Sequence, residues 1–139
     1  MIHSTPKSIL IVEDDALVAS SLARMLRLKL YDVSICPDPN AALALCSRRI
    51  FDLIITDQMM PIMNGTEFAA LAKAMQPNVH MLLISGYIDT DKADKALENG
   101  SIQKFIPKPW SNEDILNIVE KEIQLSKISQ AQNTWANEN

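Results

Sequence analysis

The run Ser8-Ile9-Leu10-Ile11-Val12, followed at once by Glu13-Asp14-Asp15, governs how this chain is read. Four consecutive large apolar residues, three of them β-branched, form a continuous stretch rather than an alternating one. Continuous apolar runs of this length suit strands covered on both faces of a parallel sheet. Working outward, the same kind of run recurs at Val33-Ser34-Ile35, Leu53-Ile54-Ile55-Thr56, Met81-Leu82-Leu83-Ile84 and Phe105-Ile106.

Between these runs apolar residues return at helical spacing. Val18, Leu22, Met25 and Leu26 sit at i, i+4, i+7 and i+8, and Phe68, Leu71, Ala72 and Met75 at i, i+3, i+4 and i+7. Ala93, Ala96 and Leu97 repeat the start of that pattern, and Ile115, Ile118, Val119 and Ile123 share one side of a last helix. Asp38-Pro39 reads as an N-cap with proline at the first helical position, Ser111 and Asp114 as an acidic variant of the capping box, and Asn99-Gly100 as a helix stop. The resulting five βα units, with right-handed crossovers, predict an α/β fold with a parallel sheet between two layers of helices.

Composition agrees. The 139 residues are 47% hydrophobic and 22% charged, which fits one globular domain and excludes collagen-like and largely disordered classes. Three glycines and 5% aromatics disfavour an all-β barrel or sandwich. The net charge of −4 argues against direct nucleic-acid binding, which needs a basic face. No apolar run reaches the roughly 18 residues of a membrane span, and Met1-Ile2-His3-Ser4-Thr5-Pro6 lacks the basic and apolar regions of a signal peptide. Cys36 and Cys46 form neither a CxxC motif nor a disulfide framework, so they read as small buried thiols in a reducing, cytoplasmic compartment.

In open α/β sheets, ligands bind beyond the carboxyl ends of the strands. The first run ends in Glu13, Asp14 and Asp15, the third in Asp57, the fourth in Ser85-Gly86 and the fifth in Lys108-Pro109. Carboxylates, a hydroxyl and an amine thus converge on one edge from four strands. An oxygen-rich cluster without histidine or cysteine ligands suits a hard divalent cation such as Mg²⁺. Beside such a cation Asp57 can attack phosphorus to form an aspartyl-phosphate, with Lys108 and Ser85 holding phosphoryl oxygens. Asp14-Asp15 also suits the N-terminus of the helix that follows, with Asp15 nearer the cap, and both roles can hold together.

With these residues in order, the chain resembles the receiver domain of two-component response regulators over about residues 7–125. The matching pieces are Asp14-Asp15 after Ile11-Val12-Glu13, Asp57 within Asp57-Gln58-Met59-Met60-Pro61-Ile62-Met63-Asn64-Gly65, then Ser85-Gly86 and Lys108-Pro109. The resemblance implies a flavodoxin-like, doubly wound five-stranded sheet of order 2-1-3-4-5. It implies Mg²⁺ held by Asp14, Asp15, Asp57 and the Met59 backbone carbonyl, and a cis bond between Lys108 and Pro109. It also implies that a sensor histidine kinase or phosphotransfer protein phosphorylates Asp57 with the help of Lys108 and Ser85, that Ser85 and Phe105 report the phosphoryl group, and that the phosphoryl group is slowly lost by self-catalysed hydrolysis. The signal would pass to a downstream protein or a fused output domain, or through a phosphorylation-dependent dimer. Phe105 lacks a tyrosine's hydroxyl, so a switch there works by packing alone, and Met59 shields the phosphoryl group without delivering water. Trp110 looks like receivers of some hybrid kinases and of regulators with cyclic-dinucleotide phosphodiesterase outputs.

Two other functions compete for the same residues. A degenerate receiver serving only as a binding module needs a broken acid pocket, and none is broken here. A phosphohydrolase of haloacid-dehalogenase type needs a second aspartate two residues after the nucleophile, where Met59 stands. The remaining features read as ordinary structure. His3 and His80 lie away from the acids without a second ligand, Lys121-Glu122 belongs to a solvated helix face, and a rim helix covers about 89–99. Residues 1–6 are expected to be disordered. After Ile128 the sequence turns polar, so the last helix is expected to give out there, with 126–139 a helix extension, polar tail or truncated linker.

Overall fold

The computed structural model describes residues 5–86 and 90–138, with backbone alone at 90 and 127–138. Strands and helices alternate without exception: β1 (Ser8–Val12), α1 (Ala16–Leu28), β2 (Asp32–Cys36), α2 (Pro39–Cys46), β3 (Leu53–Asp57), α3 (Gly65–Met75), β4 (His80–Ser85), α4 (Thr90–Glu98), β5 (Lys104–Pro107) and α5 (Asn112–Glu138). The strands form one parallel sheet in the order β2-β1-β3-β4-β5. The doubly wound 2-1-3-4-5 arrangement is therefore present. Strand order reverses between β1 and β3, and the crevice at their carboxyl ends is where such sheets bind ligands.

Each apolar run feeds two cores because successive side chains leave a strand on opposite faces. Ile9, Ile11, Ile55 and Ile84 pack with Leu22 and Leu26 of α1 and with Ile115, Val119 and Ile123 of α5. Leu10, Val12, Ile54 and Leu83 pack the other way, against α2, α3 and α4. That two-sided burial explains why the runs carry no polar alternation.

The helix ends follow their local chemistry. Asp15 caps α1, Asp38 caps α2 ahead of Pro39, and Asn64 caps α3. The Ser111 hydroxyl accepts the Asp114 N–H at 3.1 Å, as the capping-box reading requires. Gly100 takes the left-handed conformation past α4 that the Asn99-Gly100 pair foretold.

Four expectations change. In α3 the buried face is Gly65, Phe68, Ala69 and Ala72, while Leu71 and Met75 are about half exposed. The helix is flanked by neighbours on both sides, so the small Ala69 meets the sheet and the large Leu71 is turned out. Glu122 is buried rather than solvated, because it receives the His80 ring at 2.9 Å. That partner also corrects the reading of His80 as isolated: the pair ties α5 to the start of β4, the end opposite Ser85. Finally, the backbone of α5 stays helical to Glu138 instead of ending near Ile128. Loss of apolar period removes a buried face but not helix propensity, and no glycine or proline follows Pro109. His3 and the start of the rim helix at Asp89 lie outside the described residues.

These contacts fix the expected cost of truncation. Phe68→Ala should lower unfolding free energy by about 3–5 kcal/mol, since its ring is fully buried. Leu71→Ala, from the same helix, should cost no more than about 1 kcal/mol. Urea denaturation of the two variants checks the assignment of the buried face.

Candidate functional site

The carboxyl ends of β1, β3, β4 and β5 bring their terminal residues into one crevice. Glu13 follows β1 directly and keeps the strand's inward direction, so its side chain is buried. Its Oε1 accepts the Asp15 N–H at 3.0 Å. Asp57 closes β3 and is also buried. Lys108, just past β5, reaches back under the edge until its Nζ lies 3.5 Å from Glu13 Oε2 and 3.5 Å from Asp57 Oδ2. One ammonium therefore sits between two buried carboxylates that come from neighbouring strands.

Glu13, Asp14 and Asp57 each offer a carboxylate oxygen, and these atoms lie within 4.8 Å of one another. Asp15 is not part of this group among the described residues. Its Oδ1 accepts the Leu17 and Val18 N–H groups at 3.0 and 3.3 Å, which commits it to capping α1. The acidic pair of the crevice is thus Glu13-Asp14, one residue upstream of the Asp14-Asp15 pair expected as ligands. A usable signal was present: an acid directly before a helix start is a cap, whereas one directly after a buried strand still follows the strand's alternation.

Ser85 ends β4 with no exposed surface, and its carbonyl accepts the Lys108 N–H at 2.8 Å. This bond joins the turn after β5 to the end of β4, and the Lys108–Pro109 peptide is cis as expected. Phe105 is half-buried and leans on the core to which α4 contributes Ala93 and Ala96. Met59 follows Asp57 by two residues and is 58% exposed, while Met60 and Met63 rest on the same core. Beside Lys108 an apolar groove of about 380 Å³ opens between α1 and the turn before α5, walled by Leu17, Met25, Pro109 and Trp110.

The electrostatics of the crevice are unbalanced. Burial pushes the Glu13 carboxyl up to about 7; the Asp15 N–H opposes this, the negative charge of Asp57 adds to it, and Lys108 opposes it. Glu13 Oε2 and Asp57 Oδ1 are both buried without a hydrogen-bond partner among the described residues. Buried oxygens left unpartnered are costly, and an all-oxygen donor set with spare lone pairs fits a hard divalent cation.

Sequence reasoning passed over Gln58, which follows Asp57 and is also buried. Its carbonyl accepts the Gly65 N–H and its side-chain oxygen accepts the Thr66 N–H, both at the start of α3. Gly65 is required there: a Cβ would stand 2.2 Å from the Asp57 carbonyl oxygen and 2.7 Å from Leu83.

Comparison with known proteins agrees with this geometry. The response regulator receiver domain family matches residues 9–120. Among curated proteins, the hydrogenase transcriptional regulatory protein HoxA of Bradyrhizobium diazoefficiens is 27% identical over 127 residues, covering 91% of this chain and 26% of that protein. The chain spans about a quarter to a half of the length of the first curated relatives it matches. Among solved structures, a CheY-like receiver domain protein from Methanospirillum hungatei superposes with a TM-score of 0.86 at 26% identity, covering 90% of this chain and 99% of that one. A response regulator from Burkholderia pseudomallei, determined with a phosphorylated aspartic acid, a calcium ion and citrate, gives 0.76 at 27% identity, covering 96% of this chain and 75% of that one. With a five-stranded sheet in the order 2-1-3-4-5 and an acidic crevice at its switch point, the chain belongs to the response regulator receiver domain family.

Proposed function

We propose that this domain is a phosphorylation-controlled switch in which Asp57 accepts a phosphoryl group. The observation that carries the reading is the buried Asp57 carboxylate, one oxygen facing Lys108 at 3.5 Å and the other without a partner, beside Glu13 and Asp14. The phosphorylated aspartate of the Burkholderia pseudomallei relative supports it. In the transfer, a carboxylate oxygen of Asp57 forms a bond to phosphorus while the bond from phosphorus to the donor breaks, and the electron pair leaves with the donor. A phosphohistidine of a sensor kinase or phosphotransfer protein is the proposed donor, approaching over the apolar groove next to Lys108.

The residues that would hold Mg²⁺ are Glu13, Asp14 and Asp57 with the backbone carbonyl of Met59; Asp15 leaves this set because its carboxylate is not among the oxygens that converge within 4.8 Å. When bound, Mg²⁺ supplies charge neutralisation for the clustered carboxylates and the incoming phosphoryl oxygens. Lys108 supplies a second positive charge, freed from Glu13 and Asp57 to meet a phosphoryl oxygen, and Ser85 offers a hydroxyl to another. Charge-assisted bonds of this kind exist only after transfer, so they favour one state over the other, which is the condition for a population shift. Phe105 is the proposed packing element that follows Ser85 and alters the surface near α4. Output through a downstream protein, a fused domain or a dimer belongs to the same proposal.

Acetyl phosphate with Mg²⁺ should label the chain with a hydroxylamine-sensitive phosphoryl group, detected by mass spectrometry. Asp57→Asn should abolish the label. An unlabelled chain, under conditions that label a known receiver, would defeat the reading.

The Glu13 carboxyl also sets a pH dependence. Its folded-state value of about 7 lies above the ordinary 4.5, so between those values the folded chain holds more protons than the unfolded one. Stability of the metal-free protein should therefore fall as pH rises from 4.5 to 7. A proton on Glu13 competes with a cation, so Mg²⁺ affinity should be about tenfold weaker at pH 6 than at pH 8. Calorimetric titration checks this, and Glu13→Gln should flatten the profile.

A further inference from the structure

We infer that Gln58 is a positioning residue for the crevice: its side chain clamps the loop that follows Asp57 to the start of α3, and so sets where the Met59 carbonyl is presented. The inference rests on the reading of the crevice as a cation site and assigns a task to a residue outside its carboxylates.

Residues 58–64 must leave β3 at Asp57 and enter α3 at Gly65. Both ends of this loop are tied together through Gln58. Its backbone N–H donates to the Ile84 carbonyl at 3.0 Å, which fastens it to β4, and its carbonyl accepts the Gly65 N–H at 3.0 Å. Its side-chain Oε1 accepts the Thr66 N–H at 2.8 Å, and its Nε2 donates to Thr66 Oγ1 at 3.4 Å. Thr66 Oγ1 in turn donates to Asn64 Oδ1 at 2.9 Å, and that oxygen also accepts the Glu67 N–H. The first N–H groups of α3, which have no partner inside the helix, are thereby satisfied from the loop itself.

The loop needs such a clamp because its conformation is strained. Ile62, a β-branched residue with 86% of its surface exposed, has φ of 75°. Left-handed backbone at such a residue persists only where surrounding bonds over-determine it. Across Ile62 the Met63 N–H donates to the Pro61 carbonyl at 2.8 Å, and Met60 and Met63 rest on the core to either side, so the Gln58–Thr66–Asn64 bonds add the restraint that ties down the loop's ends. Between the clamp and the strained residue stands Met59, adjoining Gln58 in the chain. Fixing Gln58 on both its backbone and its side chain leaves the next peptide little freedom, and a metal-ligating carbonyl gains affinity from that pre-organisation.

The test compares two buried glutamines. Gln76, at the far end of α3, is as buried as Gln58 and bonds the Phe51 N–H and the Cys46 and Arg49 carbonyls. Magnesium chloride is titrated calorimetrically at pH 8 into the full chain and into Gln58→Met, Thr66→Val and Gln76→Met, with thermal unfolding in chelator recorded for each. Gln58→Met should weaken Mg²⁺ binding about tenfold or more, and Thr66→Val should weaken it in the same direction by less. Gln76→Met should lower the unfolding temperature at least as much while leaving Mg²⁺ affinity unchanged. Unaltered affinity in Gln58→Met overturns the inference, as does an equal loss in Gln76→Met, which would reduce the effect to general destabilisation. If Gln58→Met does not fold, Thr66→Val decides, and unaltered affinity there overturns it. If the unmodified chain takes up no Mg²⁺, the cation reading of the crevice falls and this inference falls with it; binding by the unmodified chain with indifference to Gln58 removes the inference alone.

Discussion

Two carboxylates buried side by side, Glu13 and Asp57, with a single ammonium between them, are the constraint on which the rest of the molecule depends. Burial disfavours a charged carboxyl and the neighbouring Asp57 adds to this, which is why the Glu13 carboxyl is pushed up to about 7. Lys108 reaches both at 3.5 Å, so one positive charge is shared between two groups. Even so, Glu13 Oε2 and Asp57 Oδ1 are left without a hydrogen bond among the described residues. A pocket built this way is unfavourable when empty of positive charge and favourable once a cation or a charge rearrangement arrives. That imbalance is stored by the fold and is what a switch can draw upon.

Only a stiff frame can hold the imbalance in place. β1 and β3 are neighbours in the centre of the sheet, and their apolar runs are buried on both faces. Close-packed interiors resist small shifts, so the acids that end these strands cannot drift apart. The lysine arrives from the far side by a turn after β5, steadied by the bond from its N–H to the Ser85 carbonyl. Gly65 lets α3 sit directly on the Asp57 backbone, where a larger residue would collide.

The loop between Asp57 and α3 is a counterpart to this stiffness. It carries a strained residue at Ile62, and side-chain amides and a hydroxyl at its two ends restrain it. Here polar bonds at the ends act together with the seating of Met60 and Met63 on the core. A loop held by a few directional bonds can be placed accurately at modest cost in buried area, and functional loops on rigid scaffolds commonly have this character.

The sequence by itself determined the strands, their parallel arrangement and the edge at which the acids and the lysine gather, since continuous apolar runs, helical spacing and the residues that end each run are local patterns. Asp57, Ser85 and Lys108 were legible for that reason. Which acids join them was not: Glu13, Asp14 and Asp15 are adjacent in the chain, and only the point where strand hands over to helix tells that Glu13 turns inward while Asp15 turns to cap α1. The burial of Ala69 in place of Leu71 was likewise a matter of which neighbours flank α3. His80 and Glu122 meet across 42 residues of chain, and the amide of Gln58 finds its partners only once α3 has docked against β3. Periodicity reports which face of an element is apolar, whereas the direction of a single polar side chain depends on partners supplied by distant segments, and those partners exist only in the folded chain.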